Sequence, residues 1–370
     1  MPSDYGRRVH LTAFGDLALR VGPILVFLMA ITVVAELADR IGLFAVIARW
    51  AAVVGRGSVL GLWLLVVAVA TATTAVLSLD TTAVLITPVV LVLARRLRLS
   101  QELFAFTAVW LANTASLILP VSNLTNLLAD ARLRPAGVPF SALMWAPALA
   151  IWVVTVILLA VVFRRRLSGR YEVPRPFRVE DRVLLVTAGV VCAGLGPAFA
   201  FGANVTVAAV VGAAVLVVAC LLRHPRLVGW RLLPWALVLG VGVLFVLVEI
   251  AHAYGLTSMV NDLVGRGTGW TDLLRLAAVS ALAANLLNNL PAYLAIEPSV
   301  LDASIRLAAL LVGVNAGPLV TPWASLATLL WAGRCRAAGL RVYWLRFAAL
   351  GLILVPVCLV VGTLALIVAE

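Results

Sequence analysis

The chain has 370 residues, of which 64% are apolar and 12% are charged, and its mean hydropathy is +1.13. A soluble domain has about 45–50% apolar and about 25% charged residues, so the composition argues against a water-soluble enzyme or binding module. The net charge is +12 and every basic residue is arginine. These arginines lie in short loops between apolar runs, which is typical of membrane topology signals and not of a nucleic-acid-binding domain.

Long apolar runs continue without alternation, as in 24–35 and 205–222. Only helices or closed barrels satisfy the backbone in lipid, and a barrel would show short alternating segments, so the sequence predicts an all-α polytopic membrane protein. Residues 1–16 are of mixed character, form an N-terminal tail and contain no recognisable cleavable signal. In chain order, about eight stretches reach the ~20 residues that a span requires. They are 17–38, 102–129, 141–163, 183–200, 202–222, 232–253, 306–333 and 344–368.

Two further apolar regions, 58–94 and 270–300, are interrupted by polar residues and predict re-entrant hairpins. Two short amphipathic segments, 42–55 and 255–265, predict helices that lie flat. The loop 164–182 is the richest in arginine, so we expect it on the cytoplasmic side of a plasma membrane. When spans are counted from that loop, the first hairpin opens from the inside and the second from the outside.

The two halves of the chain share short motifs in the same order. The pairs are 36–43 with 249–256, 54–57 with 264–267, and 113–120 with 315–322. Because the halves have opposite orientations, they predict two inverted repeats, the architecture of many secondary transporters. The first repeat covers 17–163, the second covers 232–370, and two scaffold helices at 183–222 lie between them.

Polar residues and prolines interrupt the spans 102–129 and 306–333 and occupy the tips of both hairpins. Broken helices near mid-membrane form the substrate sites of inverted-repeat transporters, so we predict a substrate cradle there. Its candidate substrate-binding residues are Asp80, Thr81, Thr82, Asn113, Thr114, Ser122, Asn123, Thr125, Asn126, Asn288, Asn289, Asn315, Thr321, Ser325 and Thr328. The alternative is that these side chains only join packed helices by hydrogen bonds.

Asp80 is the one carboxylate that we expect deep in the membrane. Such a group is costly there and usually marks an ion or proton path, so we predict that it carries a coupled proton. The alternative is that it caps the half-helix that follows. The sequence has no phosphate-binding motif, no paired catalytic groups and no metal-ligand spacing, so we predict no enzyme activity, metal site or cofactor.

Four segments, in this order, carry a resemblance to a known family: 79–88, 113–126, 288–291 and 317–331. They resemble the arsenical pump membrane protein family, the arsenite and antimonite efflux branch of the ion transporter superfamily. One departure is at the first hairpin tip, where the family's usual Asn-Asp-Gly reads Leu-Asp-Thr around Asp80.

The resemblance implies an elevator-type carrier, in which the flat helices connect a static scaffold to moving hairpins and broken helices. It also implies exchange of neutral arsenite or antimonite for protons and, in some members, a cytosolic arsenical ATPase as partner. About two further spans before 17–38 belong to the family pattern. Besides the solute, protons and the lipid bilayer, a homodimer is a candidate assembly, and nucleic acid is not an expected partner.

The first hypothesis is therefore a secondary active transporter that exports arsenite or antimonite by proton antiport. The alternatives in the same superfamily are a sodium- or proton-coupled transporter of dicarboxylates or other organic anions, and a sodium/proton antiporter. A hypothesis of another class is a non-transporting membrane scaffold or receptor, for which substitutions at Asn123 and Ser325 would leave all flux unchanged.

Overall fold

The computed structural model describes residues 3–173, 181–201 and 203–369, and these residues are almost entirely helical. The first half contains α1 (Ser3–Ile41), α2 (Leu43–Val54), α3 (Val59–Leu77), α4 (Leu79–Thr81), α5 (Thr87–Arg96), α6 (Gln101–Thr114), α7 (Leu124–Leu133), α8 (Phe140–Val162) and α9 (Arg164–Leu167). The middle contains α10 (Arg182–Ala200) and α11 (Val205–Arg223). The second half contains α12 (Trp235–Ala253), α13 (Leu256–Val264), α14 (Trp270–Leu287), α15 (Asn289–Ile296), α16 (Ser304–Ala316), α17 (Leu326–Ala337) and α18 (Trp344–Ala369).

Among the described residues, six helices are long and apolar enough to cross a membrane. Four of them, α8, α10, α11 and α18, lie at predicted spans, and the other two, α3 and α14, are the first limbs of the predicted hairpins. The predicted spans 17–38 and 232–253 lie in α1 and α12. α1 begins at Ser3. Residues 3–16, which were predicted to form an N-terminal tail, therefore belong to this helix. The prediction of an all-α polytopic fold is confirmed.

The irregular elements also lie where the sequence places them. The first hairpin consists of α3, α4, a π-helical turn at Thr82–Ile86 and α5, and the second consists of α14 and α15. The first broken helix stops at the end of α6 and resumes with α7, while the second stops with α16 and resumes with α17. The short helices α2 and α13 correspond to the two segments predicted to lie flat.

The two hairpins enter the bundle from opposite ends. Arg95, at the open end of the first hairpin, donates a hydrogen bond to the carbonyl of Ala338, shortly before α18 begins. Trp270, at the open end of the second hairpin, donates from Nε1 to Oγ1 of Thr363 at 3.2 Å, near the end of α18. Because α18 runs from one end of the bundle to the other, the hairpins have the inverted arrangement that the repeats predict.

The first limbs of the broken helices form the centre of the bundle. Every residue of α6 from Leu103 onward is buried, and so is every residue of α16 from Ile305 onward. A helix that is buried all round has neighbours on every side. Gly313 lets α16 approach α14, since a Cβ at that position would clash with the carbonyl oxygen of Ala277. The broken helices are therefore held in the interior, with the hairpins packed against them.

Candidate functional site

The two hairpin tips have the same backbone conformation. Ser78 has φ 131° and ψ 165°, and Asn288 has φ 133° and ψ 155°. Positive φ is rare in residues other than glycine, and such strain concentrates at functional sites. Ser78 Oγ accepts from the amide of Thr81 at 3.3 Å, and Asn288 Oδ1 accepts from that of Leu290 at 3.3 Å. The alternative prediction that Asp80 caps the half-helix is therefore wrong, because Ser78 occupies the capping position.

Both broken helices resume after a residue with extended backbone. Asn123 has φ −148° and ψ 145°, and Ser325 has φ −144° and ψ 143°. Asn123 Oδ1 accepts from the amide of Thr125, and Ser325 Oγ accepts from that of Thr328, both at 3.3 Å. Thus α7 and α17 begin inside the protein. The positive end of a helix there is suited to an anion or to a neutral oxygen ligand.

Polar side chains of the two repeats meet around one amide, that of Asn315. Its Oδ1 accepts hydrogen bonds from Ser116 Oγ at 3.1 Å, from Thr125 Oγ1 at 3.4 Å and from Asn123 Nδ2. Its Nδ2 donates to Asn126 Oδ1 at 3.0 Å. All five residues are buried. Hydrogen bonds thus join the first broken helix to the second broken helix. This is what the alternative interpretation predicts for these residues, namely that their side chains join packed helices.

Asn113 matches Asn315 in the repeat, yet its surroundings differ. Each amide donates to a carbonyl four residues earlier, Asn113 to Val109 and Asn315 to Leu311, both at 2.9 Å. Within the part of the chain that the structure describes, however, the buried Asn113 Oδ1 and the buried Thr328 Oγ1 have no hydrogen-bond partner. A buried polar atom without a partner costs about 1–3 kcal/mol. These two atoms are candidates to contact a bound solute or ion.

A cavity of about 100 Å³ is lined by residues of the hairpin tips, of the first broken helix and of the helices α1 and α12. Its polar lining residues are Ser78, Asp80, Asn123 and Asn289. Its apolar lining includes Phe27, Leu28 and Ile31 of α1 and Val241 of α12. The buried Oδ1 of Asp80 has no hydrogen-bond partner among the described residues. Of the residues that the structure places around this cavity, Asp80 is the only charged one, and none is an arginine.

Most of the other predicted site residues use their side chains in hydrogen bonds within the protein. The pairs are Thr81 Oγ1 with Ser78 Oγ at 3.1 Å, Thr82 Oγ1 with Thr74 Oγ1 at 2.8 Å, Thr114 Oγ1 with Trp110 O at 2.9 Å, Ser122 Oγ with Ala75 O at 2.9 Å, Asn288 Nδ2 with Trp323 O at 2.9 Å, and Thr321 Oγ1 with Asn285 O at 2.7 Å. The structure therefore brings only Asp80, Asn123 and Asn289 of the predicted set to the cavity.

Asn285 is a site residue that the sequence reasoning missed. Its Oδ1 accepts from the amides of Val320 at 3.3 Å and Thr321 at 3.0 Å, and its Nδ2 donates to Gly317 O at 2.8 Å. Asn285 thus provides hydrogen-bond partners for backbone groups that have none within the helix where the second helix is broken. The available signal was a polar residue three positions before the polar hairpin tip at Asn288. Phe27 of α1, which lines the cavity, carries no such signal, because an apolar side chain in an apolar span is ordinary.

Known proteins are similar to this chain over most of its length. The family model described as citrate transporter (CitMHS) matches residues 11–328. An arsenical pump membrane protein of Escherichia coli is 28% identical over 355 residues, which cover 88% of this chain and 81% of that protein. The arsenical pump membrane protein of Yersinia enterocolitica is also 28% identical, over 363 residues with the same coverage.

Among solved structures, the YdaH transporter of Alcanivorax borkumensis has a similar fold. The match covers 99% of this chain and 89% of that one, with a TM-score of 0.64 and 16% sequence identity. At this level of identity, the likeness supports the fold alone.

Proposed function

The chain belongs to the citrate transporter family of membrane transporters, and we propose that it is a secondary carrier that exports arsenite or antimonite in exchange for protons. The observation that carries the proposal is the central cavity of about 100 Å³, in which Asp80 is the only charged residue among those described. On the same measure, a site for one water needs about 10–15 Å³, so the cavity is large enough for a small solute, and none of its described lining residues is a cation that would balance an anion. As(OH)₃ and Sb(OH)₃ are small, neutral solutes.

Asp80 is the proposed coupling residue. As a carboxylate, it accepts hydrogen bonds from the hydroxyl groups of the solute, and Ser78, Asn123 and Asn289 complete the polar lining of the cavity. When Asp80 takes a proton from the outside, it loses the charge that favours those bonds, and the solute is released. The proton then leaves on the cytoplasmic side, which restores the carboxylate for the next cycle. A carboxyl group deep in a membrane protein is typical of such proton paths.

The second candidate is a sodium- or proton-coupled transporter of citrate or dicarboxylates, or a sodium/proton antiporter. The description of the family model favours an organic anion. The cavity opposes it, since an anion would lie beside Asp80 with no arginine among the described lining residues. The arsenical pump relatives, at 28% identity, favour the neutral solute.

An elevator movement is part of the proposal. The scaffold helices α1, α10 and α11 pack on one another, and α14 packs on α16 in the other group. A glycine precedes each flat helix, Gly42 before α2 and Gly255 before α13, with φ of 89° and 94°. These left-handed glycines would act as hinges between the scaffold and the hairpins, since glycine adopts this conformation without steric cost. In the proposed orientation the loop 164–182 is cytoplasmic, where a cytosolic arsenical ATPase could reach it.

The test is arsenite uptake into everted vesicles with an imposed proton gradient. We expect uptake that stops when the gradient is collapsed. Asp80→Asn should abolish the proton dependence, whereas Asp262→Asn, a matched change at an exposed carboxylate, should leave it intact. No arsenite uptake by the unaltered protein would show that the solute is wrong. Proton-dependent uptake by Asp80→Asn equal to that of the unaltered protein would show that the coupling role is wrong.

A further inference from the structure

A second opening, apart from the central cavity, has the form of a lipid groove. Its volume is about 430 Å³, and it lies between α5 on one side and the end of α1 with the flat helix α2 on the other. The walls are largely apolar and include Ala48, Val89, Val92 and Leu93. The side chain of Val92 is 47% exposed. In a membrane protein, such an exposed apolar wall faces acyl chains.

Two arginines place positive charge at one end of this groove. Arg49 comes from α2 and Arg96 from the last turn of α5. Asp39 also lines the groove, and the charges of Glu36, Arg334 and Arg40 act on it. With two arginines and one carboxylate among its described lining residues, the groove carries a net positive charge.

The positively charged end of the groove lies at the arginine-rich end of the bundle. Arg96 follows Arg95, which bonds to the carbonyl of Ala338, and Arg98 follows in the same loop. Trp50, next to Arg49, is 57% exposed. Exposed tryptophan beside arginine is typical of the level of lipid headgroups. The groove thus places its charges at the headgroup level and its apolar walls beneath them.

We propose that this groove binds an anionic phospholipid. Its phosphate lies between Arg49 and Arg96, and one acyl chain runs along Val89, Val92 and Leu93. Basic pockets between membrane helices are suited to such headgroups, and guanidinium groups make strong charge-assisted bonds to phosphate oxygens. A free phosphate would leave the apolar walls uncovered, and a zwitterionic lipid would bring a positive group against the arginines.

The lipid would touch two parts of the molecule at once, namely the flat helix α2 and the hairpin limb α5. If the elevator movement of the proposed function occurs, α2 and α5 shift relative to each other, and the lipid favours the arrangement seen here. Only this consequence rests on the proposed function. Binding of the lipid is independent of it and is measured without any transport.

The experiment is native mass spectrometry of the purified full chain in a neutral detergent. Palmitoyl-oleoyl phosphatidylglycerol is titrated against phosphatidylcholine with the same acyl chains. We expect tight binding of phosphatidylglycerol alone, and about fivefold weaker binding for each of Arg49→Gln and Arg96→Gln. Val92→Trp should block the groove while both arginines remain. Arg98→Gln, the matched loss of an exposed arginine outside the groove, should bind as the unaltered chain does.

Three results would overturn the proposal: unchanged binding in Arg96→Gln and Val92→Trp, equal binding of phosphatidylcholine, or displacement of the lipid by an equal concentration of inorganic phosphate. Arg96 and Val92 are exposed, so substitutions there leave the core of the fold undisturbed. If Arg49→Gln does not fold, these two variants still decide the question.

Discussion

Asn315 of the second repeat donates a hydrogen bond from Nδ2 to Oδ1 of Asn126 in the first repeat, at 3.0 Å. The two residues are 189 positions apart in the chain and both are buried. The repeats are therefore joined by specific polar contacts at the point where both helices are broken. The matching residue of the first repeat, Asn113, has no equivalent contact at Oδ1 among the described residues, so the symmetry of the sequence is not a symmetry of bonding.

This difference predicts unequal costs for matched substitutions. Asn315→Leu removes the partner of Asn123 and Asn126 and should destabilise the protein by about 1–3 kcal/mol for each buried group left unsatisfied. Asn113→Leu removes an oxygen that has no partner and should cost clearly less. The measurement is the midpoint of thermal unfolding of each purified variant in detergent. Equal shifts of the two midpoints would contradict the asymmetry.

The small size of the cavity predicts that transport is blocked by filling it. Ile31→Trp adds a large ring to the apolar lining of the cavity, so we expect arsenite uptake into vesicles to be lost. Overpacking costs about 1–3 kcal/mol, so the variant should still fold. Val26→Trp is the control, because Val26 lies on the same helix and is 40% exposed. Uptake by Ile31→Trp at the rate of the control would mean that the solute does not pass through this cavity.

The second break depends on a close approach of α18. A Cβ at Gly351 would clash with the carbonyl oxygen of Leu319, whereas a Cβ at Gly333 in α17 would meet nothing within 4 Å. Gly351→Ala should therefore destabilise the protein by about 1–3 kcal/mol and reduce uptake. Gly333→Ala should be neutral or slightly stabilising, since alanine favours a helix. Unfolding midpoints measured side by side check this, and a neutral Gly351→Ala would refute the packing argument.

Asp181 gives a pH prediction of a different kind. Its Oδ1 caps α10 by accepting from the amides of Val183 at 3.0 Å and Leu184 at 3.1 Å. The hydrogen bond from Arg223 is the main cause that lowers the pKa of Asp181 from 3.8 to about 2. Because the pKa of Asp181 is lowered on folding, ionised Asp181 stabilises the folded state fully when the pH is above the pKa of this residue in the unfolded chain. This stabilisation is lost only as the pH falls through about 2.

The expected outcome is that Asp181→Asn lowers the unfolding midpoint at about pH 5 as well as at about pH 8, because Asp181 is ionised at both. The measurement is thermal unfolding in the two buffers. A midpoint difference that disappears at about pH 5 would contradict the low pKa. Asp80→Asn differs in kind, since we expect it to change the pH dependence of transport.

Much of the architecture could be predicted from local features. The apolar runs, the polar tip residues Ser78 and Asn288 and the motifs around Asn113 and Asn315 predicted spans, hairpins and broken helices close to the bounds observed. The partners of Asn285 could not be predicted, because they lie 32 to 36 positions away in the chain. The capping alternative for Asp80 failed because Ser78 takes the amide hydrogen bond instead.

By itself, the sequence determined that the protein lies in a membrane and that it contains two inverted repeats, because hydrophobic length and the order of motifs are local properties of the chain. Only the tertiary structure decided which polar groups satisfy one another and which face a cavity. Asn315 meets residues 189 to 199 positions away, and Asp80 lines a cavity together with residues of α1 and α12. A hydrogen bond requires both partners in place, and in this chain the partners come from opposite halves.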